Sequence, residues 1–188
     1  MFGSDFLEFF SHVHPITPVV LYTPVIGYML YLSIWQRNLS ALAIAGFFVA
    51  GLLIWSLFEY IIHRYAFHYE PKSRWGKFLH FMVHGVHHDY PNDASRLVMP
   101  PVISIPLAVL FYLAFTLIFG RFFPPIFAGF IAGYVCYDAI HYTTHHLVTK
   151  SGILFRLKQY HLRHHYKDDH AGYGVSSPLW DYVFGTRR

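Results

Sequence analysis

Fifteen of the 188 residues are histidine, and ten of them fall in four short clusters. These are His63 and His68 in HRYAFH, His84, His87 and His88 in HGVHH, His141 and His145 in HYTTH, and His161, His164 and His165 in HLRHH. On an α-helix, residues three and four apart share a face with Cβ atoms about 5–6 Å apart, so H-x-x-H-H turns three imidazoles toward one point. Neutral imidazole binds first-row divalent metals well, and ten of them nearly fill the shells of two ions. Without a shared ion, ten crowded rings would leave several buried polar groups unpaired, at about 1–3 kcal/mol each. The spacing therefore predicts a dimetal centre. His12, His14, His80, His146 and His170 lie outside the pattern and read as structural or supporting residues.

The rest of the chain must bring these clusters together. With 55% hydrophobic and 13% charged residues it is too apolar for a soluble domain of this length, so a membrane protein is expected. The lone Cys136 excludes a disulfide framework and a thiolate metal site. The formal charge of +4 is modest and the basic residues form no run of the kind that tracks nucleic acid. Of the fourteen Lys and Arg, all but Arg37 and Arg121 lie between Arg64 and Arg96 or between Lys150 and Arg188. The positive-inside rule then puts both histidine-bearing regions on the cytoplasmic side.

Hydropathy predicts an all-α, single-domain chain over residues 1–188, with four apolar spans at about 16–35, 41–62, 100–119 and 124–140 and a helical cap at 63–99 and 141–188. Met1–Pro15 reads as a brief interfacial segment without the basic start and small-residue cleavage site of a signal peptide. His63 and His68, five apart, do not share a face of one straight helix, so a turn is expected between them. Helices are expected over Trp75–His88, ended by Pro91, Asn92 and Asp93, and around Ile153–His165, followed by a loop with Gly172 and Gly174. The closing Trp180, Tyr182 and Phe184 resemble an aromatic anchor at headgroup level.

Three further residues are candidates beside the histidines. Glu59, one turn before His63, could accept that imidazole's second N–H, or serve as a helix-end charge reaching the interface. Tyr137 and Asp138 lie four and three residues before His141, at the depth where a lipid chain would enter. An acidic residue there is a functional candidate, with support of a histidine the alternative.

HRYAFH, HGVHHDYPNDASRLVMPP, GYVCYDAIHYTTHH and LKQYHLRHHYKDDHAGYGVSSPLWDYVFGT together resemble the fatty acid 2-hydroxylase branch of the integral membrane fatty acid hydroxylase superfamily, over residues 41–186. The resemblance implies a four-helix transmembrane bundle with a cytosolic cap, and the ten clustered histidines as ligands of two irons, which zinc can replace in purified protein. It implies O₂-dependent insertion of one oxygen atom at C2 of a long acyl chain, free or in a sphingolipid- or ceramide-type amide. Tyr137 and Asp138 match positions that the family uses near the substrate; no catalytic residue beyond the metal ligands is implied. The larger eukaryotic members carry an N-terminal b-type haem domain. None is expected here, with 15 residues before the first span and His12 and His14 outside any haem-binding context, so electrons are expected from a separate electron-transfer protein. The membrane would be the endoplasmic reticulum in a eukaryote and the inner membrane in a bacterium.

Other chemistries share the same parts. A desaturase or a sterol or carotenoid hydroxylase would use the same metals on a different substrate. A zinc transporter would place histidines and carboxylates within the spans, where this chain has almost none. A hydrolytic metalloenzyme would use a metal-bound hydroxide, a poorer match to ten histidines without a bridging carboxylate.

Overall fold

The computed structural model of the chain describes residues 12–69 and 71–187, which are helical with no strand among them. The expected interfacial segment Met1–Pro15 falls mostly outside these residues. The chain divides into two compact units. One comprises Ile16–Trp55 and Pro100–Cys136, the other Met1–Pro15, Ser56–Met99 and Tyr137–Arg188.

The first unit holds α1 (Thr17–Tyr31), the apolar start of α2 (Ala41–Ile62), α5 (Pro101–Phe119) and the start of α6 (Phe123–His146). The apolar stretches of the sequence run along these four helices, the first continuing beyond Tyr31 to Gln36. Proline opens α1 and α5 in the first turn, where the missing N–H costs nothing. Among the described residues, three helical stretches are long and apolar enough to cross a membrane: Thr17–Gln36, Ala41–Phe67 and Ala94–His146. The last contains α5 and α6, joined by a 3₁₀ turn, Gly120–Phe122, that starts at a left-handed glycine with φ 52°.

Within this unit α2 and α6 approach backbone to backbone. A Cβ on Gly51 would lie 2.0 Å from the Ile126 carbonyl oxygen, and one on Gly129 2.0 Å from that of Phe48. Glycine is needed at both positions because no side chain fits between the helices. Rings fill the adjoining space: Phe111 and Phe115 pack on Phe130 with centroids 4.9 and 5.0 Å apart.

The second unit begins at the end of α2, where the helix widens into a π-helical turn, His63–Phe67. Next come α3 (Arg74–His80), capped by the Ser73 hydroxyl on the Gly76 amide at 3.0 Å, a second π-helical turn (Phe81–Gly85) and α4 (Val86–Asp89). The end of α6, α7 (Gly152–Tyr166) and α8 (Leu179–Val183) complete it.

Two sequence expectations are corrected here. The chain makes no separate turn between His63 and His68; the π-helical turn, with its five-residue repeat, carries His68 back over His63. Nor is Trp75–His88 one regular helix, since the second π-helical turn interrupts it at Phe81–Gly85. The aromatic tail also packs on the chain itself. Trp180 donates to Ser56 Oγ at 3.0 Å, and Phe184 stacks on Tyr60 at 5.2 Å.

Candidate metal centre

The structure gathers the ten clustered histidines into two groups of five, and within each group the ligand nitrogens lie within 4.8 Å of one another. His63, His68, His84, His88 and His164 form the first group, and His87, His141, His145, His161 and His165 the second. Neither group contains a carboxylate.

Helix geometry explains the partition and corrects the expectation that H-x-x-H-H aims at one point. At about 100° per residue, positions i and i+4 differ by about 40° around the axis, while i+3 and i+4 differ by about 100°. On α7, His161 and His165 accordingly serve the second group and His164 the first. In HGVHH, His84 and His88 serve the first group and His87 the second. Each of these two segments therefore supplies both groups.

The nitrogens are too close, and too alike, to satisfy one another. In the second group, Nε2 atoms follow one another from His141 to His87 at 2.9 Å, to His165 at 3.1 Å, to His161 at 3.0 Å and to His145 at 2.8 Å. A ring nitrogen carries one proton or one lone pair, so five of them in a row make at most two hydrogen bonds across these four contacts. A shared cation resolves all four at once. With metal–nitrogen bonds of about 2.0–2.1 Å, ligands at right angles stand about 2.9 Å apart, matching the observed spacings. In the first group, His63 and His68 Nε2 are 3.2 Å apart and His68 and His164 Nε2 3.0 Å. The donor set of each group fits one ion.

The rings are held neutral, as ligation requires. Burial first, then the proximity of His164, brings His68 down to about 3; burial and His164 bring His88 down to about 4. Burial and His145 bring His87 down to about 2. Burial likewise depresses His84, His161, His164 and His165.

Outer nitrogens fix the tautomer in the first group. His63 Nδ1 donates to the Tyr173 carbonyl at 2.5 Å, and His164 Nδ1 to the Ala171 carbonyl at 2.8 Å, which leaves both Nε2 lone pairs facing inward. Glu59 therefore does not take the His63 N–H, because a loop carbonyl occupies that place. Glu59 instead accepts from the amides of Val175 and Ser176 at 2.7 and 2.8 Å and from the Ser176 hydroxyl. Sequence reading placed a loop with Gly172 and Gly174 here, but missed its contact with the first group and its second anchor, Asp181. A Cβ on Gly174 would sit 2.1 Å from the Ser177 carbonyl oxygen, so the loop demands glycine there, and Gly172 takes a positive φ of 76°.

Tyr137 packs its ring 5.5 Å from that of His141, and Asp138 is buried one residue on. The histidines outside the pattern join neither group. His80 reaches the Phe67 carbonyl at the end of the His63–Phe67 π-helical turn, His12 reaches Ser95 and Arg96, His146 packs at a tilt against Tyr142, and His170 lies exposed beside Asp169.

Comparison with known proteins adds to this geometry. The family model described as fatty acid hydroxylase matches residues 48–186. The chain is 38% identical over 186 residues to a dihydroceramide fatty acyl 2-hydroxylase of Arabidopsis thaliana, covering 98% of this chain and 78% of that protein. It is 37% identical over 207 residues to the fatty acid 2-hydroxylase of Rattus norvegicus, covering 99% of this chain and 56% of that protein. It is also similar to a solved structure of full-length Scs7p in which only the hydroxylase domain is visible. There the TM-score is 0.91 at 37% identity, covering 100% of this chain and 71% of the other. With two groups of five convergent imidazoles and matches of this extent, the chain belongs to the fatty acid hydroxylase family, a family of oxidoreductases.

Proposed function

We propose that this protein uses O₂ to hydroxylate C2 of long-chain fatty acyl groups, free or within ceramide-type lipids. The observation that carries the reading is the pair of all-imidazole groups, each spaced for one ion. Relatives that are named 2-hydroxylases and align over nearly the whole chain support the choice of reaction.

The reaction exchanges a C2–H bond for C2–OH; one oxygen atom enters the lipid, and the other leaves as water with two electrons and two protons from outside. Two irons, when bound, would supply the O₂ activation that no side chain offers. Zinc lacks redox chemistry and would only stand in for them. The ten histidines hold the ions, and the carbonyls of Ala171 and Tyr173 keep two of the rings in the ligating tautomer. Tyr137 and Asp138, a turn before His141, orient the acyl chain. A separate electron-transfer protein supplies the electrons.

The family match runs through both compact units, which supports one hydroxylase domain over residues 1–188. In this reading residues 16–35, 41–62, 100–119 and 124–140 span the membrane, and a cap of 63–99 and 141–188 lies on the cytoplasmic side, where the basic residues concentrate. The membrane is the endoplasmic reticulum in a eukaryote and the inner membrane in a bacterium.

The test is mass spectrometry of lipids after incubating the purified protein with acyl substrate, reductant and O₂. A 2-hydroxy product carrying oxygen from labelled O₂ is expected. A double bond, or product formed under strict anaerobiosis, would overturn the reading in favour of desaturation or hydrolysis. Zinc flux into proteoliposomes that His87→Ala abolishes would instead make the protein a transporter.

A further inference from the structure

Residues 171–176 supply no histidine, yet two of their carbonyls receive ring N–H groups of the first metal group. What fixes those carbonyls lies behind the loop. Four successive amides, Tyr173 through Ser176, all end on carboxylate oxygens: Tyr173 and Gly174 on Asp181 at 2.9 and 2.8 Å, Val175 and Ser176 on Glu59 at 2.7 and 2.8 Å. Both carboxylates are buried, at 0% and 5% exposure.

A trans peptide is planar, so pulling its N–H one way aims its carbonyl the other. The Gly174 amide, held by Asp181, shares its plane with the Tyr173 carbonyl that meets His63. The Gly172 amide shares its plane with the Ala171 carbonyl that meets His164, and donates to the Thr186 carbonyl at 2.9 Å. Thr186 is itself tied to Asp181, hydroxyl to Oδ1 at 2.8 Å and amide to backbone carbonyl at 2.9 Å. Both carbonyl directions thus trace back to Asp181, and Glu59 fixes the next two peptides. Four of the five rings of the second group have no such backing: the Nδ1 atoms of His87, His141, His161 and His165 have no protein hydrogen-bond partner among the described residues.

We propose that Glu59 and Asp181 are positioning residues for one metal site only, that of His63, His68, His84, His88 and His164, acting through the 171–176 loop on the rings of His63 and His164. The proposal rests on the reading that each five-histidine group holds one ion. Partners that orient a ligand from outside are typically worth about 10–100-fold in metal affinity, and that is the loss expected at the first site.

The experiment loads the full-length protein with zinc and follows metal per chain by elemental analysis against increasing chelator. Two zinc ions per wild-type chain are expected. Glu59→Ala and Asp181→Ala should each weaken one ion about 10–100-fold and leave the other unchanged within about threefold. Glu59→Gln, which keeps an acceptor for the two amides, should fall between wild type and Glu59→Ala. If the alanine variants do not fold, Glu59→Gln, Asp181→Asn and Ser176→Ala carry the same test with smaller site-selective shifts. Leu97→Ala, in the separate core of Val13, Leu97 and Val98, lowers stability without touching the loop, and should not split the two ions. Variants that keep both ions at wild-type affinity, or lose both in parallel as Leu97→Ala does, overturn the proposal. A wild-type protein that binds no metal sinks the metal reading and this proposal together.

Discussion

His88 and His165 lie ring against ring, with centroids 4.2 Å apart and planes 22° from parallel, although they belong to different five-histidine groups. The two groups share a wall there. His165→Ala should therefore remove its own ion and loosen the other, dropping metal content below one ion per chain. His145, whose neighbouring rings are His146 and members of its own group, should cost one ion and leave one when changed to Ala. Elemental analysis of the two variants distinguishes these outcomes. Turnover in both, and in His87→Ala and His164→Ala, should fall by more than about 100-fold, beyond what a supporting residue is worth.

Tyr137 and Asp138 are expected to act on the lipid and not on the metal. Tyr137→Phe and Asp138→Asn should keep two ions per chain while shifting KM, chain-length preference or the stereochemistry of the hydroxylated product. Chiral chromatography of the product alongside metal analysis is the check. Unchanged products with lost metal would reassign both residues to support of the centre.

The close approach of α2 and α6 within the apolar unit makes a separate prediction about stability. Gly51→Ala or Gly129→Ala puts a methyl group where a carbonyl oxygen already lies 2.0 Å away, so the helices must part. Overpacking of this kind costs about 1–3 kcal/mol. Thermal unfolding in detergent should show the loss for both variants, whereas Gly27→Ala, with open space around it, should show little.

The depressed histidines set a pH dependence with a definite sign. Unfolded imidazoles bind protons near pH 6.5, whereas in the folded chain His88 does so near 4 and His68 near 3. Between those values the unfolded state holds more protons, so folding stability falls as pH falls. Above about 6.5 these rings add no dependence. Melts of the metal-free protein from pH 7.5 down to 5 should show a progressive loss, and a flat profile would count against the burial assigned to these rings.

Much of this was legible in the sequence because imidazole spacing and apolar runs are local signals. The ten histidines, the apolar runs and the helix around His161 all follow from residues near one another in the chain. The partition of the rings was not legible. Whether His164 sides with His161 or with His68 depends on helix rotation relative to partners such as His68, 96 residues away in sequence. The π-helical turns were hidden for a related reason: a single extra residue per turn leaves hydropathy unchanged and shows only in where the rings land. Glu59 misled through adjacency, since its real partners are Val175 and Ser176, more than a hundred residues downstream.

One helix, α7, supplies a ring to the first five-histidine group and two to the second. The two groups are thereby mounted on a common axle. A twist of that axle carries His164 and the pair His161 and His165 in the same rotational sense, so a rotation of α7 as a whole moves rings of both groups together.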